Sequence, residues 1–220
     1  RVRYKKEAML PSNIPLVFIG AALLWVGWFG FNAGSAFTAN GAAGNAFMVT
    51  NTAGAVGALM WLLIERFVNG KASVIGGVSG LVAGMVAITP AAGFVDIKSS
   101  LVIGAVAGII CYLAVAKVKK VMSYDDSLDV FGIHGIGGTW GIIATGLFAN
   151  PRIGGKAGLF YGNAKQLLVQ FEGIIVVYSV VIIGTLVTLL IVRTFMKLRV
   201  EPQEEIYGLD LILHGERAAE

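Results

Sequence analysis

Five long stretches of this chain contain no charged side chain, and they restrict the possible folds more than any other feature. They cover residues 8–64, 72–95, 99–116, 130–151 and 173–192. A helix needs about 20 residues to cross a bilayer core roughly 30 Å thick, and each stretch approaches or exceeds that length. A chain of 220 residues that is 56% hydrophobic and 14% charged cannot cover itself with a polar surface. The sequence therefore predicts an all-α integral membrane protein.

The lengths of the stretches predict the number of helices. The first has room for two, separated at the polar, turn-like sequence Thr38-Ala39-Asn40-Gly41. We therefore predict a membrane domain of six helices at residues 15–198, between a cytoplasmic lead-in (1–14) and a cytoplasmic tail (199–220). The six predicted helices cover residues 15–37, 43–64, 73–95, 99–116, 128–149 and 167–197.

The basic residues predict the orientation of the chain. If six helices place both ends on one side, that side carries 13 of the 17 Lys and Arg residues. Positive charge is enriched on the cytoplasmic side of membrane proteins, so both ends are expected in the cytoplasm, with the chain in the inner or plasma membrane. The net charge of +4 comes from these loops, so it does not indicate a nucleic-acid partner.

The two ends and the cysteine content add three expectations. Residues 1–14 lead into a full-length helix rather than a short apolar segment with a cleavage site, so we expect no signal peptide. The first residue is Arg1, so we expect a piece of a longer protein. Cys111 is the only cysteine, which excludes an intrachain disulfide.

His134 is the only histidine inside a predicted helix. In hydrocarbon, a polar side chain needs a protein partner or a wet cavity, and ionisable residues there commonly mark a substrate pathway. Four glycines between positions 132 and 138 indicate that neighbouring backbones approach closely. Asp129 is expected to cap this helix. A purely structural, hydrogen-bonded role for His134 remains an alternative.

The first predicted helix carries Trp28, Phe31 and Ser35 on one face, because they are spaced by three and four residues. Two aromatic rings with a hydroxyl group suit a cation. An interfacial aromatic belt with a packing pair of glycines explains the same pattern equally well.

The third and fourth predicted helices contain packing and breaking signals. Glycines at positions 76, 80 and 84 predict a close helix contact. Thr89-Pro90 predicts a kink near one end of the third helix. The sequence Lys117-Val118-Lys119-Lys120 is expected to end the fourth helix.

Three segments together resemble the ammonium transporter and Rhesus-type channel family. They are GWFGFNAGS (27–35), AITPAAG (87–93) and DVFGIHGIGG (129–138), and the tail, with YGLD (207–210) and HGE (214–216), resembles that of the microbial ammonium transporter branch. The match extends over nearly the whole chain but covers only the later half of the family's pattern. It implies that the six helices correspond to the second inverted repeat plus the final helix of an eleven-span fold.

The resemblance also implies roles for individual residues. Phe31 would be one of two stacked gate phenylalanines, and His134 the later member of a pair of pore histidines. Thr89 would line the path, Ser35 and Trp28 would contribute to an outer ammonium site, and Asp129 and Phe131 would support the pore.

Partners follow from the same resemblance. The other gate phenylalanine, an outer tryptophan, a supporting aspartate and the first histidine would come from a missing N-terminal half. The family implies ammonium, ammonia or methylammonium as substrate, a homotrimer in the lipid bilayer, and a PII-type regulatory protein at the cytoplasmic face. It implies no enzymatic activity, no metal and no cofactor.

Two other functions fit parts of the sequence. Gly77-Val78-Ser79-Gly80 matches the G-x-S-G pattern of rhomboid-type intramembrane proteases, with Ser79 as nucleophile and His134 as base. Such a pattern is also common where small residues pack helices. The other alternative is an ammonium sensor of the same fold, whose tail signals to a cytoplasmic partner.

Overall fold

A computed structural model describes residues 2, 4 and 9–217 of the chain. These residues form helices and turns, and the described part contains no β-strand. The described residues divide into two compact units, one at 13–174 and one that combines the described residues of 1–12 with 175–217. Among the described residues, four helices are long and apolar enough to cross a membrane: Ile14–Gly34, Gly41–Asn69, Ile97–Met122 and Ala164–Phe195.

Helices α1 (Ile14–Gly34) and α2 (Gly41–Asn69) are separated at the predicted polar break. Asn13 caps α1 and Asn40 caps α2, and each side-chain oxygen accepts from the backbone N–H three residues later, at 2.9 and 3.0 Å. Such bonds satisfy N–H groups that have no partner within the helix. The predicted break at residues 38–41 is therefore confirmed.

Helix α3 (Val74–Ile88) is shorter than the predicted helix at 73–95. Pro90 has no backbone N–H with which to continue the hydrogen-bond ladder, and residues 89–94 form turns. The expected kinked helix is therefore wrong. Asn45 of α2 compensates for the lost helical bonds, since its Nδ2 donates to the carbonyl oxygens of Ala92 and Val95 at 3.3 and 3.0 Å.

Helix α4 (Ile97–Leu113) continues through a π-helical turn, Ala114–Val118, into α5 (Lys119–Met122). The expectation that the lysines at 117–120 end this helix is wrong, because lysine is a good helix former. The helix ends at Ser123, whose φ of 56° lies in the left-handed region. We call Ala114–Val118 the first π-turn.

A second π-turn, Phe131–Gly135, leads into α6 (Ile136–Phe148). The loop that follows contains α7 (Pro151–Gly154) and a 3₁₀ turn at Leu159–Tyr161. Helix α8 covers Ala164–Phe195, and the tail forms two short helices, α9 (Pro202–Tyr207) and α10 (Leu209–His214). Six positions of the predicted lead-in (1, 3 and 5–8) and the last three of the predicted tail (218–220) lie outside the described residues.

Helices α2, α3 and α4 pack through direct backbone contacts at glycines. A Cβ atom at Gly84 would lie 2.1 Å from the carbonyl oxygen of Ala53, and one at Gly104 would lie 2.4 Å from the same oxygen. A Cβ at Gly80 would meet the Cβ of Trp61 at 2.5 Å. No side chain fits at such distances, so the predicted glycine contact on α3 is confirmed.

A buried polar pair joins α1 to α2. Asn32 Nδ2 donates to Thr50 Oγ1 at 2.9 Å, and Thr50 Oγ1 donates to the Ala46 carbonyl oxygen at 2.6 Å. Both side chains are buried. Because an unpaired polar group is costly in an apolar interior, this pair holds the two helices at one register.

Candidate functional site

The indole of Trp28 joins α1 to the turn that follows α3. Its Nε1 donates to Thr89 Oγ1 at 2.8 Å, and Thr89 Oγ1 in turn donates to the Met85 carbonyl oxygen at 2.7 Å. Phe31 lies edge-on to the same indole, with ring centroids 6.2 Å apart and an angle of 75° between the planes. Three predicted site residues from two segments therefore form one cluster.

Phe31 and Ser35 present an aromatic ring and an oxygen at the end of α1. The side chain of Phe31 is 63% exposed, and Ser35 is exposed as well. Ser35 Oγ donates to the Phe31 carbonyl oxygen at 2.7 Å. Because this bond uses the only hydroxyl hydrogen, the Ser35 oxygen is left as an acceptor. An acceptor beside an aromatic ring suits a cation that carries N–H donors.

His134 lies on the second π-turn with its side chain exposed. In the part of the chain that the structure describes, the imidazole of His134 makes no hydrogen bond. The adjacent Ile133 is buried, and its carbonyl oxygen accepts from Cys111 Sγ at 3.8 Å. Single π-helical turns often occur at functional sites. The imidazole is thus open to a ligand or a partner segment instead of being enclosed by packing.

One apolar cluster lies behind both parts of the site. Ile133 belongs to it, together with Trp61, Val86 and Cys111, and Trp28 packs against it. Within the described residues, no hydrogen bond or ring contact joins His134 directly to the aromatic group of α1. The aromatic group of α1 and the turn that carries His134 therefore share one apolar cluster, but the imidazole makes no such contact with the aromatic group.

Phe131 lies at the start of the second π-turn. Its ring packs edge-on against Tyr124, with centroids 5.6 Å apart and an angle of 83° between the planes. A Cβ atom at Gly135 would lie 3.0 Å from Phe131 Cδ2, so the ring also covers the glycine that follows His134. Phe131 is 44% exposed and shields one side of this turn.

The predicted capping role of Asp129 is wrong, because Asp126 caps the helix. The Asp126 carboxylate accepts from the backbone N–H groups of Val130 and Phe131 at 3.0 and 2.9 Å. Asp129 has a left-handed φ of 57° and pairs with Lys119 Nζ at 2.6 Å. The Asp129 carboxylate is thus bound by Lys119, and the N–H groups it was expected to meet are bound by Asp126.

Sequence reasoning missed Asp126 and Lys119. An aspartate four residues before the first helical position, within a polar turn, was an available signal for Asp126. No local signal identified Lys119, since its partner Asp129 is ten residues away across a loop.

The geometry does not support the protease alternative. Ser79 lies half-buried in α3, and no hydrogen bond joins it to His134 among the described residues. A serine nucleophile needs an adjacent base. An apolar groove of about 510 Å³ between α1, α2 and α3 includes Trp25, Gly77 and Leu81 but neither Ser79 nor His134. Within residues 9–217, no three His, Cys, Asp or Glu side chains are grouped as metal ligands.

Comparison with known proteins gives one consistent family. Residues 1–219 match the family model described as the Ammonium Transporter Family. The chain is 51% identical over 213 residues to a protein named ammonium transporter from Bacillus subtilis (strain 168), which covers 96% of this chain and 53% of the relative.

Solved structures show the same similarity. The crystal structure of Saccharomyces cerevisiae Mep2 matches with a TM-score of 0.80 and 38% identity, covering 88% of this chain and 45% of that one. A structure titled Sensor Amt Protein matches with a TM-score of 0.82 and 29% identity, covering 91% and 49%. The chain spans about half the length of the relatives it matches.

Proposed function

Because the chain belongs to the Ammonium Transporter Family, we propose that it supplies the later half of a conduit that carries ammonium across a membrane. The remaining half would come from a segment equivalent to the other half of the relatives, on the same or a second polypeptide. Helix α1 fits this proposal, because only Ala21 and Asn32 are buried along it. An apolar helix of that kind needs lipid or protein around it.

Ammonium would first bind at the aromatic and hydroxyl group of α1. The Ser35 oxygen accepts an N–H bond, and the faces of Trp28 and Phe31 attract the positive charge. Binding here replaces part of the hydration that the ion loses on leaving water. Sodium and potassium ions bind less favourably at this group, since neither ion can donate a hydrogen bond to the Ser35 oxygen.

Passage beyond this site would require loss of a proton. A charged ion in a narrow apolar pore costs several kcal/mol, whereas neutral ammonia avoids most of that cost. The proton would pass separately, with the imidazole of His134 acting as donor and acceptor. Phe31 would form half of the gate and Thr89 would line the path. Sodium and potassium cannot shed a proton, which excludes them.

The observation that carries this proposal is the exposed imidazole on an otherwise apolar helix. The residues between 130 and 151 include no charged side chain, yet His134 is exposed and its imidazole makes no hydrogen bond among the described residues. A polar side chain in a membrane domain requires a wet cavity or a partner, and a conduit shared with the missing half supplies both.

Substitution of His134 in the complete transporter tests the proposal. We expect His134→Ala to abolish selective methylammonium uptake in reconstituted vesicles, because the neutral substrate loses its hydrogen-bonding partner and the proton its carrier. Ser179→Ala is the control, since the Ser179 hydroxyl donates only to the Ile175 carbonyl oxygen of its own helix. Selective uptake that is unchanged in His134→Ala at equal protein density contradicts the proposed role.

An ammonium sensor is the second candidate function, because one similar structure is titled Sensor Amt Protein. A sensor of this fold would bind ammonium at the same outer group without conducting it. Ammonium-dependent current from the reconstituted assembly distinguishes the two functions, since only the transporter carries sustained flux.

The architecture and partners extend the same proposal. We propose six membrane-spanning helices, equivalent to a second inverted repeat plus a final helix, within a homotrimer in the cell membrane. Both ends would face the cytoplasm, where the tail helices α9 and α10 would meet a PII-type regulatory protein. The predominance of basic residues on the proposed cytoplasmic side supports this orientation.

A further inference from the structure

Lys119, at the start of α5, bonds to the end of the loop (residues 123–129) that leads to His134. Its Nζ donates to Asp129 Oδ1 at 2.6 Å and also to the carbonyl oxygen of Asp126. Asp126 in turn caps the first N–H groups of the helix. The Nζ atom of Lys119 thus bonds to the backbone of Asp126 and to the side chain of Asp129, the two acidic residues on either side of the turn.

Asp129 needs such a partner because of its backbone conformation. Its φ of 57° is left-handed, a conformation that costs energy for a residue with a side chain, although less for Asp than for most, and that surrounding contacts stabilise. The Asp129 carbonyl oxygen accepts from Ile133 N at 2.9 Å. The strained residue is therefore bonded directly to the segment that carries His134.

The two π-turns also pack against each other. Gly132 of the second π-turn lies beside Val115 of the first, and a Cβ atom at Gly132 would come within 2.8 Å of Val115 Cγ2. Lys119 immediately follows the first π-turn. An extra residue in a helical turn rotates the residues around it by about 100° about the helix axis. Contacts that maintain the second π-turn therefore determine the direction in which the imidazole projects.

Lys119 is less exposed to solvent than its neighbouring lysines. The side chain of Lys119 is 14% exposed and that of Asp129 is 27% exposed, whereas Lys117 and Lys120 are exposed. An ion pair that is shielded from water loses more when one partner is removed than an exposed pair does. Lys120 therefore provides a matched control on the same helix.

We propose that Lys119 is a positioning residue for ammonium conduction: by pairing with Asp129 and the Asp126 backbone, it maintains the second π-turn and so directs His134 into the conduit. This inference rests on the proposed function. Lys119 does not touch the substrate and acts only through the turn.

The test uses the complete transporter with isotope-labelled histidine. Solid-state NMR reports the ring signals of His134, assigned by their loss in His134→Ala, and vesicles report selective methylammonium uptake. We expect Lys119→Met to shift or broaden the His134 ring signals and to lower selective uptake by about tenfold or more, since small misplacements of a functional group are costly. Lys119→Arg keeps the charge and restores both readouts, and Lys120→Met changes neither.

The outcomes separate the two proposals. If His134→Ala leaves selective uptake intact, the proposed function fails, while the ring signals still report whether Lys119 orients the imidazole. If uptake requires His134 but Lys119→Met leaves the ring signals and uptake as in the parent, the positioning role is overturned. Should Lys119→Met fail to assemble, the same readouts are taken on Asp129→Asn, and unchanged ring signals there also overturn it.

Discussion

Asp96 shows how one carboxylate determines where a helix begins. Its Oδ1 accepts from the backbone N–H of Ser99 at 2.8 Å. This bond favours the ionised form and holds the pKa of Asp96 below its ordinary value of 3.8, although partial burial acts in the opposite direction. The Ser99 hydroxyl, the Asn150 side chain and the charge of Lys98 contribute to the same lowering.

Removing this cap should lower the free energy of unfolding by an amount that depends on pH. We expect Asp96→Ala to lower the free energy of unfolding by about 1 kcal/mol at pH 7, and Asp96→Asn, which keeps a capping oxygen, to lower it less. Because the folded pKa is depressed, the charged carboxylate contributes fully above the unfolded pKa and loses its contribution as the pH falls through the folded value. Thermal unfolding of the complete transporter from pH 7 towards pH 3 measures this. Equal stability of the parent and Asp96→Ala at pH 7 would contradict it.

At the scale of helices, the closest contacts are made by backbones. We expect Gly84→Ala to destabilise the complete transporter by about 1–3 kcal/mol, since the new methyl group would lie 2.1 Å from the Ala53 carbonyl oxygen and the helices would have to separate. The matched control is Gly184→Ala in α8, where a Cβ atom meets nothing within 4 Å. There the better helix propensity of alanine leaves stability unchanged or raises it. Thermal unfolding in detergent compares the two, and equal effects would refute the packing argument.

At the scale of the whole molecule, the distribution of basic residues predicts which loops share a side. We expect Lys156→Cys in the complete transporter to react with an impermeant maleimide applied outside the cell, and Lys71→Cys to react only after permeabilisation. Both lysines are exposed, so accessibility does not bias the comparison. Cys111 is buried, and the parent protein measures its background labelling. The reverse labelling pattern would invert the proposed orientation.

The sequence predicted those features that depend on neighbouring residues. Long apolar stretches identified membrane helices, because the energy of transfer into hydrocarbon depends mainly on composition. The polar break near Asn40 and the glycine contact at Gly84 were also readable, since turn chemistry and small size act locally. Helical spacing placed Trp28 and Phe31 on one face, but the role of Thr89 came from the resemblance to a family, and its contact with Trp28 was not evident from spacing.

Other features required the tertiary structure. The turn that follows α3 depends on Asn45 of another helix, whose side chain donates to the carbonyl oxygens of Ala92 and Val95. The cap provided by Asp126 and the pairing of Lys119 with Asp129 depend on how a loop closes between two π-turns.

Taken by itself, the amino-acid sequence determined that this is a helical membrane chain and where most of its apolar helices begin, because hydropathy and capping act over a few residues. Only the tertiary structure decided which carboxylate caps the helix of His134, which lysine pairs with Asp129, and that the imidazole remains exposed. These outcomes depend on distances between residues that are far apart in the chain, and hydropathy does not encode such distances.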